Sequence, residues 1–125
     1  MKHFSLEEEL RGPINEWVRF QGLEPVNEFP ICWRIPDVLG VRDRKIEVAI
    51  ELKLSDLKTA IFQASIYRFI AEKVYVAMPS SRQPHLLRRI KDFNDLGIGI
   101  LLVRGDLTTF RLLESRLFDP IFSHI

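Results

Sequence analysis

The sequence predicts an α/β protein in which a mixed β-sheet of six strands carries helices on both faces. Three observations support this fold class. The chain has 125 residues, of which 46% are hydrophobic and 28% are charged, and this balance suits one globular domain over residues 1–125. Apolar residues recur at helical spacing in three segments and at strand spacing in six. The order is helix, three strands, helix, strand, helix, two strands, so a crossover should make part of the sheet parallel.

The first helix is predicted to begin at Ser5, three residues before Glu8, which is the spacing of a capping box. It runs to about Gly22, and Pro13 should weaken or kink it because proline has no amide hydrogen for a helix interior. Its apolar face consists of four residues at helical spacing: Leu6, Leu10, Ile14 and Trp17.

The next three elements are predicted to be strands joined by short connections. Runs rich in Val, Ile, Phe and Trp, punctuated by prolines, indicate strands at roughly 24–33 and 36–42. After a turn at residues 42–44, the segment IEVAIELKL has the clearest alternation in the chain. The alternation predicts two faces, one with Ile46, Val48, Ile50 and Leu52 and the other with Glu47, Ala49, Glu51 and Lys53.

The second half of the chain should complete the sheet. A helix capped by Ser55 or Asp56 extends to about Ala71, and because it is apolar almost all round, it should pack on more than one side. VYVAM is a buried strand, and residues 82–96 form a basic amphipathic helix. IGILLV and TTFRLL are the last two strands, separated by a turn at Gly105-Asp106.

Three charged residues should meet at one end of this sheet. From a turn centred near residue 44, Asp37 and Glu51 both lie seven residues away, so a hairpin brings them side by side. Glu51 and Lys53 are two apart on one strand and project from the same face. Hydrolysis of a phosphodiester bond needs closely spaced acidic oxygens for a hard metal ion and a cation near the developing negative charge.

At these positions the sequence resembles the PD-(D/E)XK, or restriction-endonuclease-like, nuclease superfamily. Pro36-Asp37, fourteen residues before Glu51-Leu52-Lys53, is similar to its signature, and Gln63 resembles the glutamine that often follows on the next helix. The acidic first helix and its closing glycine are also similar, and the likeness extends from about residue 5 to residue 78. The resemblance implies the αβββαβ core of that superfamily and hydrolysis of DNA.

The resemblance also implies a role for each matched residue. Asp37 and Glu51 would ligate Mg²⁺, with Mn²⁺ as a substitute, and the backbone carbonyl of Leu52 would be a third ligand. Lys53 would position or deprotonate the attacking water and stabilise the transition state. Gln63 would orient the lysine or contact the DNA backbone.

A first-helix acid is implied as well, and Glu7, Glu8 and Glu9 all remain candidates. The spacing to Leu10 favours Glu7. Small members of the superfamily often act as homodimers with one site per DNA strand, so a homodimer is expected.

Basic residues of the third helix are candidates for holding the DNA backbone, since nonspecific affinity for DNA comes from such cations. They are Arg82, Arg88, Arg89 and Lys91. The alternative is an ordinary solvated helix face, and the net charge of +1 does not by itself indicate a polyanionic partner.

Plainer interpretations of the motif also stand. Glu51 and Lys53 would be a surface pair if their strand lay at an edge, and Asp37 after a proline would merely begin a turn. Two alternative functions follow: a catalytically inactive DNA-binding module that keeps the fold, and a protein-interaction or regulatory domain.

The sequence also indicates a cytoplasmic protein. No segment approaches the roughly 20 consecutive apolar residues of a membrane span, and three adjacent acids near the N-terminus do not suit a secretory signal. The single cysteine, Cys32, excludes an internal disulfide and a cysteine-built zinc site, and its apolar surroundings predict that it is packed in the core.

Overall fold

The computed structural model describes residues 1–125 and contains four α-helices and six strands. The α-helices are α1 (Arg11–Phe20), α2 (Leu57–Tyr67), α3 (Gln83–Arg88) and α4 (Ile90–Leu96), and short 3₁₀ turns cover Glu7–Leu10 and Ser80–Arg82. The strands are β1 (Glu24–Asn27), β2 (Val38–Arg42), β3 (Lys45–Leu52), β4 (Lys73–Pro79), β5 (Gly99–Val103) and β6 (Thr109–Leu113).

All six strands form one mixed sheet in the order β1-β2-β3-β4-β5-β6. β1, β2 and β3 are an antiparallel meander, and β6 is antiparallel to β5. β4 is parallel to both β3 and β5 because each connection between these strands crosses over through helices. The predicted mixed α/β fold is confirmed, including the parallel return of the strand that follows α2.

Helices cover both faces of the sheet. On one face, α1 and the turn before it pack on a cluster of 12 buried apolar residues, to which the helical segment contributes Leu10 and Ile14 and β3 contributes Val48 and Leu52. On the other face, α2, α3 and α4 cover a cluster of 19. The inner strands β2 to β5 are therefore largely shielded from water on both sides, as parallel sheets usually are, whereas the edge strands β1 and β6 are partly exposed. None of the helices has the length and apolar character needed to cross a membrane.

The first helical segment differs from the prediction in its capping and in the role of Pro13. The carboxylate of Glu9, rather than Glu8, accepts hydrogen bonds from the backbone amides of Ser5 and Leu6, each at 2.9 Å. A 3₁₀ turn comes first and α1 begins only at Arg11. Pro13 thus lies in the first turn of α1, where amide hydrogens have no helical partner, and it removes no bond within α1.

β1 is much shorter than predicted. It ends at Asn27, and the following loop contains a two-residue hairpin in which Ile31 pairs with Arg34. Cys32 and Trp33 form its tip with φ of 51° and 67°, the left-handed geometry that such tight turns require. Cys32 is exposed, so the expectation that it packs in the core is wrong. Cys32 lies at the tip of a hairpin loop and does not pack in the apolar core.

A β-bulge alters the predicted faces of β3. The register between β2 and β3 shifts between Gly40 and Val41, so Glu47 has no directly paired partner. Ile46 therefore joins Ala49 in the cluster under α2, whereas Val48 belongs to the cluster under α1. A strict alternation along the whole strand is wrong at Ile46 and Glu47, and correct from Val48 onwards.

Two helices also differ from their predictions. α2 ends at Tyr67 rather than Ala71, and Phe62 on its outer side is 61% exposed, so it is not packed all round. The helix predicted over residues 82–96 is broken into a 3₁₀ turn, α3 and α4. The break lies at Arg89, whose φ of −112° and ψ of 14° are not helical.

Candidate active site

Asp37 and Glu51 lie side by side at the end of the β2–β3 hairpin. Val38 pairs with Ile50, so the register continues to Asp37 opposite Glu51. Oδ2 of Asp37 accepts a hydrogen bond of 2.8 Å from the backbone amide of Leu52, which holds the aspartate against β3. The residue Glu51 is only 5% exposed, so a carboxylate is buried at the centre of the sheet. The strand is not an edge strand, which removes the surface-pair interpretation.

The two carboxyl groups affect each other's ionisation. Burial raises the pKa of Glu51 to about 7, and the negative charge of Asp37 adds to the rise. Burial also raises the pKa of Asp37, although the amide of Leu52 and the charge of Arg11 oppose this. Two acids this close, one buried and the other half-buried, are costly to ionise together unless a cation compensates them.

Tyr67 contacts this pair and was not anticipated from the sequence. Its hydroxyl donates a buried hydrogen bond of 2.8 Å to Oε1 of Glu51. Burial and the neighbouring Glu51 raise the pKa of Tyr67 above its usual range, so the hydroxyl remains a donor near neutral pH. A signal was present: Tyr67 follows Gln63 by one helical turn, and a tyrosine in an apolar helix needs a partner for its hydroxyl.

Lys53 lies directly beyond β3, next to the acids. Its side chain is 18% exposed, and its Nζ is 4.0 Å from Oε2 of Glu7. Its positive charge lowers the pKa of Glu51, which places it within electrostatic reach of that carboxyl. Its backbone amide donates to the carbonyl of Ala77 on β4 at 3.0 Å, so the chain is held in the sheet at this point.

Gln63 lies on α2, and its Oε1 is buried without a hydrogen-bond partner. No hydrogen bond joins it to Lys53. A buried amide oxygen without a donor is uncommon in proteins. The Oε1 atom of Gln63 is therefore available to accept a hydrogen bond from a ligand or from a side chain that reorients.

The three adjacent glutamates have three different environments. Glu7 is the one beside Lys53, and its charge also raises the pKa of Asp37. Glu8 accepts from Arg11 at 2.8 and 3.0 Å. Glu9 is engaged with the backbone before it and with Lys2. Glu7 is thus the first-helix acid that the fold brings to the site.

Arg11 is a second residue that the sequence did not single out. Its Nη1 donates to the backbone carbonyl of Asp37, and its Nη2 lies 3.2 Å from Oε1 of Glu28. With its contact to Glu8, it ties the start of α1 to the loop before β2. It therefore fixes the backbone that carries Asp37.

The oxygen atoms here suit a hard divalent cation. No group of three or more His, Cys, Asp or Glu side chains is arranged to hold a metal ion. Mg²⁺, however, commonly uses one or two carboxylates with water and substrate phosphate. When the register of β2 and β3 is continued past Asp37, Leu52 lies opposite Pro36. Proline has no amide hydrogen, so the chain before β2 offers no donor to the Leu52 carbonyl at this position. Asp37, Glu51 and this carbonyl thus fit Mg²⁺ and do not resemble a zinc site.

The predicted basic residues separate into two groups. Arg82 lies near the site, where its Nε donates to the carbonyl of Leu54 at 2.7 Å. Arg89 and Lys91 instead pair with acids of α4, Asp92 and Asp95, at 2.6 and 2.8 Å. Arg88 contacts His85 on α3 at 2.8 Å. None of Arg88, Arg89 and Lys91 contacts the residues around Glu51, so the structure brings only Arg82 towards the carboxyl pair.

Comparisons with known proteins bear on the fold. No protein-family model matches the chain, and no curated protein matches it. Among solved structures the chain is similar to the SPO1766 protein of unknown function from Silicibacter pomeroyi, with a TM-score of 0.71 and 18% sequence identity. The alignment covers 94% of this chain and 76% of that one. At this identity the likeness shows a shared fold alone.

Proposed function

We propose that this protein is a metal-dependent nuclease that hydrolyses phosphodiester bonds in DNA. One observation carries the proposal: the buried carboxyl group of Glu51 and the half-buried one of Asp37 lie side by side at one end of the sheet, within electrostatic reach of the amine of Lys53. Placing two acids together in a largely buried position is costly, and a purely structural domain has no need for it. The resemblance to the PD-(D/E)XK superfamily supports the same activity, because the three residues are those of its signature.

Each residue has a role that follows from its position. Asp37, Glu51 and the Leu52 carbonyl would hold Mg²⁺ or Mn²⁺, which would supply Lewis-acid charge for the phosphate and its attacking water. Lys53 stabilises the negative charge that develops on the phosphate oxygens. A cation does this effectively in a site that is partly shielded from water. Tyr67 orients the Glu51 carboxylate by donating to one oxygen and leaving the other available.

The remaining residues support these groups. Glu7 holds the amine of Lys53 near the acids, and Gln63 supplies an acceptor for Lys53 or a contact to the DNA backbone. Arg82 contributes a contact to the DNA backbone, and Arg88, Arg89 and Lys91 would add only weak long-range attraction, since each already has a partner on its own helix.

The test is cleavage of plasmid and branched DNA with Mg²⁺ or Mn²⁺. Lys53→Ala and Asp37→Asn should each lower the rate by about 100-fold or more, the effect of removing a charged group that stabilises a transition state. Lys45→Ala is the matched control, because it removes a lysine at the opposite end of the same strand. Lys45 pairs at the surface with Glu72, and its loss should leave the rate nearly unchanged.

The outcomes separate the alternatives. Equal nicking by the wild type and all variants would indicate a contaminating nuclease and remove the catalytic assignment. DNA binding without cleavage at any metal concentration would favour the inactive DNA-binding module. Absence of both metal and DNA binding would favour the protein-interaction domain.

We also propose that the protein acts in the cytoplasm as a homodimer with one site per DNA strand. An apolar cleft of about 290 Å³ between the loop after β1, α2 and the C-terminal segment offers a surface for such self-association. Its rim includes Phe69, Ile121 and Phe122, which are 53%, 71% and 58% exposed. Sedimentation equilibrium of the whole chain measures this directly, and a monomer at micromolar concentration would contradict it.

A further inference from the structure

A polar cleft adjoins the candidate active site on the side of Lys53. It has a volume of about 420 Å³, within the range of ligand sites in proteins. Its walls come from Leu54 and Ser55 after β3, from Pro79 at the end of β4 and from Val103 at the end of β5. These are the carboxyl ends of the three parallel strands, the edge where open α/β sheets commonly bind ligands. The N-terminal segment closes the cleft from the other side.

The polar side chains that line this cleft can all donate hydrogen bonds. No carboxylate is among its lining residues, which include His3, Arg82 and the hydroxyl side chains of Ser55, Ser80 and Ser81. These three hydroxyls make no hydrogen bond within the chain. Arg82 uses its Nε to bind the carbonyl of Leu54, and its two terminal nitrogens make no further bond. The cleft therefore presents the guanidinium of Arg82, fixed by its bond to Leu54, and several unbonded hydroxyls. No carboxylate lines the cleft to neutralise the positive charge.

This set of donors matches a phosphate group. Guanidinium groups bind phosphate through paired hydrogen bonds, and serine hydroxyls add further donors to its oxygens. Lys2 also lines the cleft, but Glu9 already pairs with it, so the net positive charge comes mainly from Arg82. The bond to Leu54 holds the arginine in place, which lowers the entropy lost when a ligand binds.

We propose that this cleft binds a phosphate group of the nucleic-acid strand adjacent to the bond that is cut. The proposal rests on the proposed nuclease function, whose site it extends. Ser55 follows Lys53 by two residues, so their Cα atoms are at most about 7 Å apart. A strand held at Lys53 thus reaches the cleft with a neighbouring phosphate. The ligand is either a terminal 5′-phosphate or an internal phosphodiester, and both present the same oxygens.

Binding without cleavage tests the cleft separately from catalysis. The wild-type chain is titrated in EDTA against two labelled single-stranded oligonucleotides that differ only in a 5′-phosphate or a 5′-hydroxyl, followed by fluorescence anisotropy at several salt concentrations. Tighter binding of the 5′-phosphorylated strand identifies a terminal phosphate as the ligand. Equal binding of both strands, weakened equally by the substitution in the cleft, identifies an internal phosphodiester.

Arg82→Gln should weaken binding by roughly tenfold, the loss expected for one charge-assisted contact, and should lower the salt dependence by about one ion. Ser81→Ala, at an exposed hydroxyl, should weaken binding by a few-fold and decides the matter if Arg82→Gln does not fold. Arg19→Ala is the matched control. Arg19 is an exposed arginine near the end of α1 that pairs with Glu16, so its loss should change affinity less than the loss of Arg82.

Unchanged affinity and salt dependence in both cleft variants would overturn the proposal, as would a loss as large in Arg19→Ala. The nuclease function is judged by a different result. If the wild type cleaves DNA and the cleft variants retain its KM, the cleft assignment fails and the nuclease stands. If the cleft variants lose binding but the wild type never cleaves, the cleft stands and the nuclease fails.

Discussion

Replacement of Glu51 by glutamine should change how stability depends on pH. The carboxyl is buried, and its pKa rises from 4.5 to about 7 in the folded chain. The native state therefore keeps its proton to higher pH than the unfolded chain does, and the free energy of unfolding falls as pH rises through this window. Glutamine has the same shape and can still accept from Tyr67, but it does not titrate.

The magnitude follows from the size of the pKa rise. A rise from 4.5 to about 7 corresponds to about 3 kcal/mol, since each pKa unit is worth about 1.4 kcal/mol. The stabilising contribution of protonated Glu51 to the free energy of unfolding is fully present below pH 4.5 and is lost above about pH 7. Relative to wild type, Glu51→Gln should thus gain about 3 kcal/mol between about pH 4 and about pH 8.5.

The assay is urea unfolding in EDTA at several pH values, followed by circular dichroism. Glu16→Gln is the control, because Glu16 is exposed and its surface pair with Arg19 should be worth less than about 1 kcal/mol at every pH. A stability difference between wild type and Glu51→Gln that stays constant with pH, or that shrinks as pH rises, would refute the reasoning. Added Mg²⁺ should stabilise the wild type more than the variant at high pH, because the cation compensates the ionised pair.

Three further predictions concern single positions. Tyr67→Phe removes a buried hydrogen bond that lowers the pKa of Glu51. The free energy of unfolding should therefore fall by about 1–3 kcal/mol, and an NMR titration should show a higher pKa for the Glu51 carboxyl. A lower pKa would contradict this. Gly99→Ala places a Cβ 2.5 Å from the ring of Tyr75, so it should cost about 1–3 kcal/mol in urea unfolding, and no loss would show that the strands separate easily. Gly12→Ala meets nothing within 4 Å in α1, so the same measurement should show a gain of about 0.5–1 kcal/mol, and a loss would indicate strain there.

The fold class was accessible from the sequence because it depends on local periodicity. Alternating residues mark strands, and the length of each connection decides between an antiparallel turn and a parallel crossover. The position of Asp37 opposite Glu51 was accessible for the same reason, since counting from a tight turn sets the register of a hairpin. The turn itself is centred between Asp43 and Arg44, and the bulge near Gly40 adds the one residue that brings Asp37 opposite Glu51 rather than Ile50.

Other features of the site depend on how distant segments dock. Which of Glu7, Glu8 and Glu9 approaches Lys53 depends on where the 3₁₀ turn ends and α1 begins. The sequence left all three as candidates, although the spacing to Leu10 favoured Glu7. The structure also shows the surroundings of the basic residues of α3 and α4: Arg89 and Lys91 pair with acids of α4, and Arg88 contacts His85 of α3.

The sequence by itself thus determined a mixed sheet with an acid pair and a lysine at one end, because strand period and turn length act over a few residues. Only the tertiary structure decided what surrounds them: the hydroxyl of Tyr67 on Glu51, the guanidinium of Arg11 on the Asp37 backbone, and the donor-lined cleft beside Lys53. Those contacts join segments far apart in the chain, and their geometry follows from helices packing across a sheet rather than from any local pattern.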